Sequence, residues 1–179
     1  LRGPSVHPRL ATIGLSIAEI VARVPSDTAG IGLSVMFSQQ WPDVEALAAA
    51  LRARFPTVPL FAGGEHITAT AAYVLETCAA ITVCVLGEGE ETAIELAEWM
   101  DGTRPLEGIR GIAYRRDGRV IETERRARIK AIDEIARPAW HRFPLENYLA
   151  AGLGHGVRLG RSIPLLATRG CPYQCTFCS

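Results

Sequence analysis

The sequence predicts an α/β protein built on a doubly wound parallel sheet. Three observations predict it. Short apolar runs at 30–36, 58–62 and 81–86 alternate with segments of helical spacing at 16–24, 42–55, 70–76 and 92–100. The runs are almost continuously apolar, as expected of strands covered on both faces of a parallel sheet. Glycines stand after the second and third runs, where a strand must turn into a helix. Right-handed crossovers complete the winding.

The elements follow in order. Ile17, Ile20, Val21 and Val24 share one face of a helix from Ser16 to Val24, which Pro25-Ser26-Asp27 ends. Gly30 to Met36 is the first strand. Pro42 suits the first turn of the next helix, and Asp43 and Glu45 suit its amino end. Val44, Leu47, Ala48 and Leu51 form its apolar stripe, which runs up to Phe55. Val58 to Ala62 is the second strand, Gly63-Gly64 a turn, and Thr70 to Glu76 a helix. Ile81 to Leu86 is the third strand. Gly87-Glu88-Gly89-Glu90 and a helix from Thr92 to Met100 follow. Gly111 to Thr123 reads as a β-hairpin turning at Asp117-Gly118, a pair that accepts the positive φ of a type I′ turn. Ala127 to Tyr148 is a linker punctuated by Pro138 and Pro144, with Trp140, Phe143 and Tyr148 as packing anchors. Ser162 to Thr168 is a short apolar run with β character, broken at Arg169-Gly170. The expected organisation is a first domain at 1–104, a hairpin and linker at 105–160, and the start of a second domain at 161–179.

Composition bounds the function. The 179 residues carry 19 basic and 19 acidic side chains, so no net field draws the chain to nucleic acid. No apolar run approaches the about 18 residues needed to cross a bilayer, and no signal peptide is visible. The expectation is a cytoplasmic protein that binds neither nucleic acid nor membrane. From Asp43 to Asp101 acids outnumber bases, and from Arg110 to Lys130 the balance reverses. A solvated hairpin accounts for those arginines, with a docking surface as the alternative. The chain starts without a Met and stops one residue after its last cysteine, so we expect an internal fragment of a longer protein.

The chemistry concentrates at 170–179, Gly-Cys-Pro-Tyr-Gln-Cys-Thr-Phe-Cys-Ser. Cys171, Cys175 and Cys178 form a Cys-x3-Cys-x2-Cys triplet on one tight loop, with Gly170 relieving bulk and Pro172 stiffening it. Three neighbouring thiolates can hold one 4Fe-4S cubane and leave one iron open to a substrate or cosubstrate. A zinc site would need a fourth ligand. His155 is the nearest candidate, and the spacing fits no standard zinc module. A disulfide reading is weak, because five cysteines are odd in number. Cys78 and Cys84 read as buried structural thiols.

This triplet, with Phe177 in its aromatic slot, resembles the start of the radical S-adenosylmethionine (SAM) core, an α/β barrel. The resemblance implies that Cys171, Cys175 and Cys178 hold a 4Fe-4S cluster. It also implies that SAM binds the open iron through its amino and carboxylate groups, and that Phe177 lies near the adenine. A complete barrel would need about 150–200 further residues.

Ligands of doubly wound sheets bind at the carboxyl ends of the strands, here the loops Phe37–Trp41, Gly63–Ile67 and Gly87–Glu91. Two of these loops are glycine-rich and lead into helix amino termini, which favour anionic or polar ligand groups. Ser34-Val35-Met36, Gly63-Gly64-Glu65-His66 and Val85-Leu-Gly-Glu-Gly-Glu-Glu91 make the first domain resemble the Rossmann-like cobalamin-binding domain found upstream of many radical SAM cores. Met36 stands where the family has Leu. The resemblance implies that Ser34, Ser38, Gly63 and Gly64 line the groove for the nucleotide tail of cobalamin, with Gly87, Glu88, Gly89 and Glu90 bordering the same pocket. Small residues suit such a groove, since bulk would block approach to the sheet. The family's Asp-x-His-x-x-Gly element, whose His ligates cobalt, is not found in this chain. His66 is a candidate replacement, although a hydrogen-bonding loop histidine fits its glycine turn better.

Simpler readings stand beside these. Gly63-Gly64 can be a routine strand-to-helix turn. Gly87-x-Gly89 can be a nucleotide loop, but Thr92 occupies the third glycine position of that fingerprint. Glu88 and Glu90 suggest acid–base work less than a helix amino-terminal acid cluster. Trp41, Trp99 and Trp140 read as packing residues.

The combined expectation is part of a radical SAM enzyme using a 4Fe-4S cluster, SAM and cobalamin for methyl transfer or rearrangement at an unactivated carbon. Its partners would be a small-molecule or metabolite substrate and an electron-donor protein. Two alternatives remain: a radical SAM enzyme whose first domain is a cobalamin-free docking module, and a non-catalytic cobalamin carrier or sensor.

Overall fold

The computed structural model describes residues 14–150 and positions 160, 161, 163, 169, 170, 173, 175 and 176. The chain divides into one compact unit running to Arg128 and a second from Ile129 to Cys178.

The first unit runs α1 (Ile17–Arg23), β1 (Ile31–Ser34), a 3-10 turn (Ser38–Gln40), α2 (Trp41–Arg54), β2 (Leu60–Gly63), α3 (Glu65–Thr77), β3 (Val83–Val85), α4 (Glu90–Met100), β4 (Ile112–Arg116) and β5 (Arg119–Glu122). The strands form one sheet in the order β1-β2-β3-β4-β5. β1, β2 and β3 are parallel, and β4 and β5 join antiparallel. The predicted α/β architecture is present.

Alternation along the strands separates two cores. Leu60, Ala62, Cys84 and Ala113 face a cluster completed by α1, α2 and α3. Phe61, Val83, Val85, Ile112 and Tyr114 face the opposite cluster, completed by Leu96 and Trp99 of α4. A period of two with apolar residues on both faces is what produces the near-continuous apolar runs of the sequence.

Local signals set the element ends. Ser16 caps α1: its hydroxyl accepts the Glu19 N–H at 3.3 Å, and Glu19 Oε2 accepts the Ser16 N–H at 2.8 Å. Hydrogen bonds from Ser16 hold the Glu19 carboxyl below its ordinary pKa. Asp117 and Gly118 have φ of 50° and 73°, the two positive values a type I′ turn requires.

The structure differs from the sequence reading at two elements. α3 begins at Glu65, five residues before the expected Thr70, so most of the predicted Gly63–Ile67 loop is helix. Thr70 is itself non-helical, with φ −130° and ψ 20°, and it interrupts the periodicity from which the helix was read. The hairpin, grouped with the linker from sequence, is a continuation of the sheet. Tyr114 pairs with Val83 and Ile112 with Val85. Ile112, Ala113 and Tyr114 are buried, which a hairpin standing clear of the sheet would not achieve.

Two arginines close the amino-terminal side of the sheet. Arg52 donates to the carbonyls of Pro56, Val58 and Ala80 at 2.8, 2.8 and 2.9 Å. Arg115 donates to the carbonyls of Leu75, Ala79 and Ile81, joining the hairpin to the end of α3. Arg110, Arg116 and Arg125 of the basic stretch pair with Glu124, Glu107 and Glu122.

In the second unit, 3-10 turns at Ile132–Glu134 and Trp140–Arg142 precede α5 (Leu145–Ala150). Trp140 and Phe143 meet at a tilt of 57° with ring centroids 6.4 Å apart, and Arg161 pairs with Glu146 at 2.7 Å. Of the run 162–168 only position 163 is described, and Cys171, Phe177, Cys178 and His155 lie outside the described residues.

Candidate functional site

The carboxyl ends of β1, β2 and β3 form one row. Ser34 pairs with Gly63, and a β-carbon on Gly63 would meet Val85 Cβ at 3.5 Å. A β-carbon on Gly89 would meet Val85 Cγ1 at 3.6 Å, and one on Gly32, on the same face of β1 as Ser34, would meet nothing within 4 Å. None of these three glycines has a positive φ, and their surroundings have ordinary room for a methyl group. The protein's own packing therefore does not require glycine there. The result is a strip along the sheet edge bare of side chains, floored by Val85 and bounded by the exposed Ser34.

Gly64 is a different case. It is the amino cap of α3 with φ 107°, and a β-carbon there would run into the Val35 backbone. Its small size serves the turn, as the routine reading of a double glycine expects.

The first turns of α3 tie the three loops together. The Val35 N–H donates to Gly63 O at 2.7 Å, and the His66 N–H donates to Val35 O at 3.2 Å. On the other side the Thr68 hydroxyl donates to Gly64 O and accepts the Gly87 N–H, both at 3.0 Å. Gly87 has φ 72° and is exposed.

His66 is only 8% exposed. Its Nδ1 lies 3.0 Å from Ser38 Oγ, its Nε2 lies 3.4 Å from Thr70 Oγ1, and its ring centroid lies 5.5 Å from that of Trp41. Both ring nitrogens are thus engaged by hydroxyls, which supports a hydrogen-bonding role over cobalt ligation. Trp41 Nε1 is the single buried side-chain polar atom without a partner among the described residues. Such a donor costs about 1–3 kcal/mol until an acceptor reaches it.

The third loop is acidic. Glu90 and Glu91 stand in the first turn of α4, where the helix dipole favours them. Arg126 binds Glu91 at 2.7 Å, contacts Glu95 and reaches the Thr92 hydroxyl at 3.3 Å. Thr92, fully buried, is structural.

Cys78 and Cys84 are free and buried, as expected. Burial pushes the Cys84 thiol up to about 12, which keeps it protonated and unreactive. Cys175 is free and exposed. No other member of the triplet is described, and no group of metal-ligating side chains occurs among the described residues. No helix among them is long and apolar enough to cross a membrane.

Residues 3–97 match the family described as B12 binding domain. The chain belongs to the B12-binding domain family. An uncharacterized methyltransferase of Pyrococcus horikoshii is 33% identical over 163 residues, covering 91% of this chain and 33% of the relative. An anaerobic magnesium-protoporphyrin IX monomethyl ester cyclase of Cereibacter sphaeroides is 35% identical over 120 residues, covering 65% of this chain and 19% of that protein. The chain thus spans a third of the first relative and a fifth of the second. Among solved structures, the cobalamin-dependent S-adenosylmethionine radical enzyme OxsB, with aqua-cobalamin and S-adenosylmethionine bound, superposes at a TM-score of 0.56. Identity there is 20%, over 69% of this chain and 17% of OxsB.

For a B12-binding domain the residues present fit. The strip at Gly32, Ser34, Gly63 and Gly89 leaves the sheet edge open to an extended group. Of the residues expected at the site, Ser34 and Gly63 are direct neighbours and Gly89 shares their floor. Gly64 is committed to Val35, Gly87 to Thr68 and Ser38 to His66. Sequence reasoning missed Val35, Thr68 and Thr70. The hydroxyl residues at 68 and 70, just after the double glycine, carry that signal, and the break at Thr70 hides it by interrupting the helical spacing.

Proposed function

We propose that this chain carries the corrinoid-binding domain and the cluster loop of a cobalamin-dependent radical SAM enzyme. The reaction class is methyl transfer or rearrangement at an unactivated carbon. The observation that carries the reading is the bare strip at Ser34, Gly63 and Gly89 in a domain of the B12-binding family, in one chain with Cys171, Cys175 and Cys178. The likeness to an uncharacterized methyltransferase and to the radical enzyme OxsB supports it.

In this reading the strip receives the nucleotide tail of cobalamin. Ser34 edges the strip and Val85 floors it, while Ser38, Gly64, Gly87, Glu88 and Glu90 border it. Thr68 and His66 hold the loops at fixed separation, so the groove is preorganised. The three cysteine thiolates would hold a 4Fe-4S cluster, with Phe177 on the same loop as the aromatic residue for SAM. That part rests on spacing and resemblance. Groups held at these residues would supply electron transfer to SAM and a methyl carrier. A small-molecule substrate and an electron-donor protein are the expected partners, and a thiolate-held cluster suits the reducing cytoplasm.

The test incubates the chain with hydroxocobalamin, desalts it and reads the visible spectrum. Retained corrinoid is expected, and Gly63→Val should abolish retention while the circular dichroism spectrum stays that of the folded chain. Anaerobic reconstitution with iron and sulfide should give a cluster that Cys175→Ala removes. A chain that builds the cluster but releases all corrinoid would make the first domain a docking module.

A further inference from the structure

The hydroxyl proton of Thr70 has a fixed destination. Thr70 Oγ1 stands 2.6 Å from His66 O, a carbonyl that can only accept, so the hydroxyl donates there. Toward His66 Nε2, at 3.4 Å, the same oxygen can then offer only lone pairs. Nε2 can bond that oxygen only as a donor, which leaves Nδ1 as the acceptor nitrogen of the ring. At 3.0 Å from Nδ1, the Ser38 hydroxyl must donate to it. A chain of protons thus runs from Ser38 to His66 to Thr70 to the His66 carbonyl, with one direction only.

From this we infer that His66 is a positioning residue that fixes Ser38 as a hydrogen-bond acceptor. The groove beside Ser38 then recognises a donor group of its ligand, an amide N–H or a hydroxyl, and repels a bare anionic oxygen. This rests on the reading that Ser38 borders the corrinoid groove. Ser38 is exposed while His66 is buried, so the relay ends on the surface a ligand meets. A corrinoid offers donors of two kinds, the amides around its ring and the hydroxyl of its nucleotide tail.

The test has a spectroscopic arm and a binding arm. In the full chain with ¹⁵N-labelled histidine, the two ring nitrogens of His66 are resolved by comparison with His66→Gln. Protonation at Nε2 is expected, and Thr70→Val should shift the ring toward Nδ1–H, a change that a packing role would not produce. A ring protonated at Nδ1 in the unsubstituted chain overturns the assignment. In the binding arm, Ser38→Ala should weaken hydroxocobalamin by about five- to tenfold, one neutral hydrogen bond. An equal loss for cobinamide, which lacks the nucleotide, identifies a ring amide as the donor. A loss for cobalamin alone identifies the tail hydroxyl. Unchanged binding of both overturns donor recognition at Ser38. Failure of the unsubstituted chain to bind any corrinoid strikes the functional reading, whereas the imidazole spectrum decides the polarity of Ser38 independently.

Discussion

Gly64 lies so close to Val35 that a β-carbon at position 64 would stand 2.5 Å from Val35 O and 2.9 Å from the Val35 carbonyl carbon. The obstacle is backbone held by two hydrogen bonds, so it cannot swing aside as a side-chain tip would. The φ of 107° adds strain for any residue with a β-carbon.

Gly64→Ala is therefore expected to cost about 2–4 kcal/mol of stability in urea titration. Gly63→Ala, one residue earlier, meets only ordinary contacts and should stay within about 1 kcal/mol. Two adjacent glycines thus separate by assay: one governs folding, the other ligand retention.

Part of this contrast was legible in the sequence. Strand–helix alternation gave the sheet, and the glycines after two strands gave the edge where a ligand enters. Which glycine is structural depends on a backbone contact with Val35, 29 positions away, and no local pattern encodes that. The links from His66 to Ser38 and from Thr68 to Gly87 likewise join residues 28 and 19 positions apart. The start of α3 was hidden by the break at Thr70. The hairpin was legible from Asp117-Gly118, but its docking on β3 was not, because a turn fixes its own two strands and not their neighbour.

Arg115→Lys should destabilise the first unit by about 2 kcal/mol, read as a shift of the urea midpoint. The guanidinium spreads its donors over the carbonyls of Leu75, Ala79 and Ile81, and an ammonium cannot match that fork. Arg52→Lys is expected to behave alike, since its two terminal nitrogens serve the carbonyls of Pro56, Val58 and Ala80.

Cys84 makes stability fall in alkali. Burial raises its thiol from the ordinary 9.0 to about 12. The native state therefore keeps a proton that the unfolded chain releases, and ΔG of unfolding declines between those two values. The slope is at most about 1.4 kcal/mol per pH unit. Unfolding titrations from pH 8 to 11 should show this decline, and Cys84→Ala should lessen it. At pH 8 a thiol reagent should label Cys175 long before Cys84.

The position of β1 at the end of the sheet governs how the chain must be handled. One side of Ile31–Ser34 is hydrogen-bonded to β2, and among the described residues no strand pairs with the other. A strand at the end of a sheet is where a further extended segment can add, whether from the same chain or from another molecule. Binding isotherms therefore belong at dilutions where light scattering reports monomers.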